Sequence, residues 1–246
     1  MKQATERRQQ AETSRSQDTP PMGRPGRLAP LAGAGFAVLT AAGFFVIGPN
    51  PDSAAPVPKI TSFYAAHHGQ LYLGGILLAY AAILFAVFGA AIWDRTRRTG
   101  RHPAAAGVAL AGTAVAAAGQ LATATTYFTL GDIGNKPTTT PAALQAMHIL
   151  GSELSLATAG GVALLLLAVA LAGITARVFP RWLAWPALII GILQMVIPVS
   201  FPAFLLFLPW ALAAALIMTT HPTRGTPAQA PQDPADMLPS HATANS

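Results

Sequence analysis

Long apolar runs that alternate with arginine-bearing connections constrain the fold of this chain more than any other feature. The hydrocarbon core of a bilayer is about 30 Å thick and is crossed by about 20 helical residues. Six runs come close to this length, at residues 28–48, 71–93, 103–130, 155–176, 182–198 and 202–219. Only 10% of the residues are charged, whereas a soluble domain carries about 25%. The sequence therefore predicts an all-α, polytopic transmembrane helix bundle with six spans.

The division of residues 182–219 into two spans depends on two prolines. A single helix over this stretch would be about 57 Å long at a rise of about 1.5 Å per residue, which is too long for one crossing. The sequence "IPVSFP" at residues 197–202 contains prolines four residues apart, and prolines break helices. We therefore expect two short spans here, with one span and a re-entrant segment as the alternative.

The distribution of basic residues predicts the orientation of the bundle. In a six-span topology, thirteen of the 15 Lys and Arg residues fall in segments on one side, and only Lys59 and Lys136 fall on the other. Basic connections stay in the cytoplasm. Trp93 and Trp182 flank two of the basic connections, as tryptophans do at the headgroup level. We therefore expect a multi-pass protein of the cell membrane with cytoplasmic N- and C-termini.

Two polar tails flank the transmembrane helical domain, which covers residues 28–219. Residues 1–27 are basic and interrupted by proline, and residues 220–246 are rich in Pro and Ala. Such segments cannot bury enough apolar surface to order themselves, so we expect two disordered cytoplasmic tails.

The lipid bilayer is the predicted partner, and anionic lipid is a candidate contact of the N-terminal tail. The net charge of +6 does not indicate nucleic acid, because the basic residues sit in short clusters between apolar runs. The oligomeric state stays open.

A few polar side chains near one end of the predicted spans form the candidate site. Glu153 lies about 36 Å along its helix from Arg177, and His68 lies about 37 Å along its helix from Trp93, if each residue rises about 1.5 Å. The two residues are therefore predicted at one height, at the outer edge of the hydrocarbon. The predicted polar layer comprises His67, His68, Gln120, His148, Ser152 and Glu153.

Three interpretations of this polar layer are open. Its members can face headgroups and water, where polar groups cost little. Glu153 can bond to His67 or His68 and fix the packing of two helices, or the layer can bind a ligand or handle protons, because histidine titrates near neutral pH. An ionisable residue within an apolar stretch is a candidate functional residue by default.

No cofactor, metal site or catalytic residue is predicted. The chain contains no cysteine, which excludes a thiol nucleophile. The adjacent histidines of "AHHG" lack the i, i+4 spacing that brings two imidazoles onto one helical face. His68 and His148, the available pair for haem, lie at different heights. We therefore expect a non-enzymatic structural or regulatory protein. The alternative is a small-molecule or ion-coupled transporter that uses the layer around Glu153 and His67/His68, and a membrane enzyme is the least supported function.

Three segments carry a resemblance to known sequences. They are "FYAAHHGQLYLGGILL", which leads into the second span, the basic turn "WDRTRRTGRHP", and "RVFPRWLAWPALIIGILQ", which opens the fifth span. With these segments the chain resembles an uncharacterised family of bacterial multi-pass membrane proteins with about six spans. The resemblance implies an architecture and supplies no catalytic residue.

Overall fold

The computed structural model describes residues 28–52, 55–98, 103–134 and 136–220. These residues form six helices and no strand, which confirms the all-α prediction. The helices are α1 (Leu31–Ile47), α2 (Val57–Arg97), α3 (Pro103–Ile133), α4 (Pro141–Ala176), α5 (Arg181–Gln194) and α6 (Ile197–Thr220). Apart from Thr220, the tails predicted to be disordered lie outside the described residues.

Four of these helices, rather than the predicted six, are long and apolar enough to cross a membrane: α2, α3, α4 and α6. They fit a membrane protein whose apolar helices contact lipid. The prediction of six spans is wrong for α1, which has 17 residues, and for α5, which has 14. At about 1.5 Å per residue these two helices are about 26 Å and about 21 Å long. Both are shorter than a hydrocarbon core of about 30 Å.

The break between the last two helices lies before the prolines that were expected to cause it. Met195 and Val196 separate α5 from α6, and "IPVSFP" forms the first turns of α6. Pro198 is the second residue of α6, where a missing N–H costs nothing because the first amides of a helix have no intrahelical acceptor. The proline therefore starts a helix here instead of ending one.

The helices follow one another around a closed ring. Each packs against the next in the chain, α6 packs against α1, and α2 and α4 also meet across the ring. The contact between α3 and α4 is close, because Gly112 and Ala116 lie against Gly161. A Cβ atom built on Gly161 would lie 2.3 Å from the amide nitrogen of Ala116. Small residues of this kind let two membrane helices approach backbone to backbone.

An aromatic cluster fills the ring on the side of the arginine-rich ends of the helices. The ring centroid of Phe36 in α1 lies 4.8 Å from that of Phe85 in α2 and 5.7 Å from that of Phe207 in α6. All three side chains are fully buried. Phe85 is twelve residues from Arg97, so the cluster lies about 18 Å from the arginine-rich end of α2.

Helix α2 is kinked at His67, whose backbone angles are φ −114° and ψ 16°. The His67 ring donates from Nδ1 to the carbonyl of Phe63 at 2.9 Å, and the His68 ring does the same to Ala65 at 3.2 Å. The ring of His67 also stacks on Phe63, with centroids 4.4 Å apart. Polar side chains that bond local carbonyls are a known cause of helix kinks. The two adjacent histidines therefore support a bend in their own helix.

Candidate functional site

A buried tyrosine–histidine pair lies at the end of the bundle opposite the arginines. Tyr64 of α2 is 0% exposed and His148 of α4 is 8% exposed. The Tyr64 hydroxyl lies 2.6 Å from Nδ1 of His148. The kink at His67 separates the segment that carries Tyr64 from the rest of α2. Pairing satisfies a tyrosine hydroxyl that would otherwise be buried without a partner.

The pair leaves one ring nitrogen of His148 without a hydrogen bond. Nε2 of His148 is buried and has no partner among the described residues. If the Tyr64 hydroxyl donates to Nδ1, Nε2 carries the proton and is the one unmatched group. If Nδ1 donates instead, both the hydroxyl hydrogen and Nε2 are unmatched. The first arrangement leaves fewer groups unsatisfied, so His148 offers an unused N–H donor. An unsatisfied buried donor costs about 1–3 kcal/mol.

His148 lines a pocket of about 250 Å³. Its walls carry hydroxyl, amide and imidazole groups alongside apolar residues. The lining residues are Asn50, Pro51, Asp52, Tyr64, Thr123, Thr126, Tyr127, Leu130, His148, Gly151 and Ser152. Asn50, Asp52 and Ser152 are exposed and form the rim, whereas Tyr64 and His148 are buried. The amide of Asn50 donates to the hydroxyl of Tyr127 at 2.7 Å. This bond ties the connection after α1 to α3 and fixes one side of the rim.

A second, smaller cavity of about 80 Å³ lies nearer the middle of the bundle than the pocket does. Thr123 contributes to both walls. The deeper cavity also contains Gln120, which donates to the Thr40 hydroxyl at 3.3 Å, and Thr158, whose buried hydroxyl has no partner among the described residues. Polar groups therefore extend from the end of the bundle into its interior.

Gln194 lines the deeper cavity but uses its amide elsewhere. With the amide oriented so that both of its polar atoms are bonded, its nitrogen donates to the carbonyl of Ser200 at 3.2 Å. Its oxygen accepts from the backbone N–H of Phe204 at 3.0 Å. Gln194 is 3% exposed. It joins the last residue of α5 to the start of α6, which leaves Thr158 as the unmatched polar side chain of this cavity.

The predicted polar layer separates into two groups. His148 and Ser152 line the pocket, and Gln120 lines the deeper cavity. His67, His68 and Glu153 line neither of these two cavities.

The contact considered between Glu153 and the adjacent histidines is not made. Glu153 is exposed and makes no hydrogen bond or ion pair with the described residues. The heights also differ, because Gly131 packs against the backbone of His68 while Gly151 packs against Thr126. These two α3 positions are five residues, or about 7 Å, apart. The two predicted heights agree only if both helices are straight and their basic ends lie at the same level, and α2 is kinked at His67.

The site contains four residues that were not predicted from the sequence: Tyr64, Tyr127, Asn50 and Thr158. A signal for the tyrosines was present, because a phenolic hydroxyl in a membrane helix needs a hydrogen-bond partner. The sequence gives no comparable signal for Asn50, which lies in a connection and reaches Tyr127 only through the fold.

Within the described part of the chain, no three His, Asp or Glu side chains are grouped so that they could hold a metal ion. No protein-family model, curated protein or solved structure matches the chain. The resemblance to bacterial multi-pass membrane proteins therefore stays a prediction. The case for a function depends on the geometry of the pocket and the cavity beneath it.

Proposed function

We propose that the chain is a multi-pass protein of the cell membrane whose arginine-rich end faces the cytoplasm. Basic residues collect on the cytoplasmic side of membrane proteins. Ile217 near the end of α6 lines one cavity together with Arg95 and Arg181. Gly33 near the start of α1 packs against Phe88, nine residues from Arg97. Both ends of the described bundle therefore lie toward the arginines, which supports cytoplasmic N- and C-termini. This topology requires α1 and α5, although shorter than the other four helices, to run between the two ends of the bundle.

We further propose that the pocket around His148 binds one small, neutral, polar solute, and that the protein acts as a non-enzymatic structural or regulatory protein. The observation that carries this proposal is the unpaired Nε2 of a buried histidine that lines the pocket. A ligand with an acceptor oxygen would satisfy it. At about 250 Å³, the pocket lies below the usual range of about 300–1,000 Å³, which suits a small molecule.

The chemistry of the walls supports a neutral ligand and a binding role. Hydroxyl and amide groups line the pocket, and Asp52 lies on its exposed rim. The pocket walls hold neither a second carboxylate for acid–base catalysis nor a serine held by a basic partner, because Ser152 donates to the carbonyl of Ile149. Binding is the function that this set of groups supports best.

Thermal unfolding of the purified full chain in detergent tests the proposal. The probes are neutral solutes with hydroxyl or amide groups: monosaccharides, polyols and amino-acid amides. We expect at least one to raise the melting temperature of the parent and to lose this effect in His148→Phe. His68→Phe is the matched control, because His68 is exposed and outside the pocket. A panel that stabilises nothing, or stabilises parent and His148→Phe alike, contradicts the proposal.

The deeper cavity favours a transporter as the second candidate. Its polar wall at Gln120 and Thr158 lies nearer the middle of the bundle than the pocket, and Thr123 borders both. The packed rings of Phe36, Phe85 and Phe207 close the way beyond it, so transport requires this cluster to open. Uptake of a stabilising solute into proteoliposomes tests the idea. We expect Thr158→Val to slow uptake and Glu153→Gln, which lies outside both cavities, to leave it unchanged.

A further inference from the structure

A third cavity, of different chemistry, lies at the arginine-rich end of the bundle. It has a volume of about 480 Å³. Its walls consist of three arginines and four uncharged residues, and they comprise Arg95, Arg177, Val178, Phe179, Pro180, Arg181 and Ile217. The arginines come from the end of α2, the connection after α4 and the start of α5. The nearby acid Asp94 is engaged by Arg97 and Arg98, at 2.9 and 2.7 Å. The described walls of the cavity therefore carry three guanidinium groups and no carboxylate, and Asp94 is paired with two arginines outside the cavity.

Arg95 is held in place by the α4–α5 connection. Its Nε donates to the carbonyl of Val178 at 3.3 Å, and its guanidinium lies 5.4 Å from the ring centroid of Phe179. The side chain is half-buried, whereas Arg177 and Arg181 are exposed at the mouth. A fixed, partly desolvated guanidinium binds phosphate more strongly than a mobile one, because less conformational entropy is lost.

Arg177 occupies a backbone conformation that favours glycine. Its φ is 54°, the one positive φ at a non-glycine residue in the described part of the chain. It ends α4, and its N–H bonds to the carbonyl of Ala172. Glycine is the usual residue at this position of a helix end, and a residue with a Cβ costs about 1 kcal/mol there. An arginine at a position where glycine would cost less free energy indicates that its side chain has a role, such as binding an anion.

The first turn of α5 adds a further positive potential. The helix begins at Arg181, directly after Pro180, and no side chain caps its N-terminus. The first amides of a helix have no intrahelical partner, and the helix dipole favours an anion at this end. A helix N-terminus beside guanidinium groups is a recurring phosphate site in proteins.

We propose that this cavity binds the phosphate group of an anionic phospholipid. The guanidinium groups and the start of α5 supply the charge, while Phe179 and Ile217 supply apolar walls for the glycerol and acyl part. Trp182, next to Arg181, is 61% exposed, as expected of a tryptophan at the headgroup level. Basic pockets between membrane helices on the cytoplasmic side bind anionic headgroups in this way.

Lipid binding to the full chain in detergent, measured by native mass spectrometry, tests the proposal. The probes are phosphatidylglycerol, phosphatidylcholine and inorganic phosphate. We expect the parent to prefer phosphatidylglycerol, and Arg177→Gly with Arg181→Gln to bind it about 25-fold more weakly, about fivefold for each arginine. Glycine adopts the conformation of residue 177 readily, so this variant keeps its fold, which its melting temperature checks.

Arg97→Gln is the matched control. It removes a charge from the same end of the bundle and leaves Asp94 paired with Arg98, and Arg97 does not line the cavity. We expect this control to bind phosphatidylglycerol as the parent does. Equal loss in the control, an unchanged affinity in the cavity variant, or equal binding of phosphatidylcholine would each overturn the proposal. Inorganic phosphate that stabilises the parent as much as phosphatidylglycerol would show that the source is a free anion, and would overturn the assignment to lipid.

Discussion

The hydroxyl of Tyr64 lies 2.6 Å from Nδ1 of His148, and the two residues are 84 positions apart in the sequence. This bond connects α2 and α4 at the end of the bundle where the polar pocket opens. It determines which nitrogen of the histidine remains for a ligand, because a ring whose Nδ1 accepts must carry its proton on Nε2. One phenolic hydroxyl therefore sets both the packing and the chemistry of the pocket.

Removing both members of this pair should cost less than the sum of the costs of removing each one alone. Tyr64→Phe leaves Nδ1 of His148 buried and unmatched, and we expect a loss of about 1–3 kcal/mol in the free energy of unfolding. Tyr64→Phe with His148→Phe leaves neither partner polar, so we expect it to be less destabilised than the sum of the two single variants. Chemical unfolding in detergent provides the double-mutant cycle. Tyr80→Phe, at a side chain 61% exposed on the same helix, is the control. Strict additivity would mean that the two groups are not coupled.

The paired glycines of α4 should respond in opposite directions to alanine. In Gly161→Ala the new methyl group would lie 2.3 Å from the amide nitrogen of Ala116, so α3 and α4 must move apart. We expect a loss of about 1–3 kcal/mol, as for other overpacked sites. At Gly160 a Cβ meets nothing within 4 Å, so Gly160→Ala should be neutral or slightly stabilising, because alanine favours helix. Melting temperatures in one detergent compare the two, and equal shifts would contradict this account of the contact.

The kink of α2 should depend on His67. His67→Leu removes the bond from Nδ1 to the carbonyl of Phe63 and should cost about 1 kcal/mol locally. We expect faster hydrogen exchange in residues 57–66 and unchanged exchange in α4. His68→Leu, which loses a longer bond of 3.2 Å, should have a smaller effect. If exchange in residues 57–66 is unaffected by His67→Leu, the ring does not support the bend.

The absence of cysteine allows the orientation to be measured with single introduced thiols. Thr139→Cys lies between α3 and α4, at the end that carries the pocket, and Arg98→Cys lies at the arginine-rich end of α2. With a maleimide that does not cross membranes, we expect Thr139→Cys to be labelled in intact cells and Arg98→Cys only after permeabilisation. The reverse labelling pattern would contradict the proposal that the arginine-rich end faces the cytoplasm.

Sequence reasoning succeeds where one physical effect dominates. Apolar helices are recognisable because the cost of placing charges in lipid outweighs every local preference. It separates α5 from α6 but misplaces the boundary between them, because Pro198 can equally end one helix or begin another.

The candidate site shows the same limit. His148 was predicted as one of six polar residues, but its partner Tyr64 was not, because the two residues are 84 positions apart and meet only through the packing of two helices. Glu153 was predicted as a site residue because it is a charged residue in an apolar run, but its side chain is exposed. The spacing of residues in the sequence shows which of them share a helical face. The packing of the helices determines which residues that face contacts.

The closed ring of helices has a consequence for biosynthesis. The ribosome makes α1 first and α6 last, and these two helices are neighbours in the finished bundle. The face of α1 that carries Phe36 therefore lacks its contact with Phe207 until nearly the whole chain has been translated. A ribosome that stalls before residue 197 should release a chain with its aromatic surface uncovered, a target for membrane quality control.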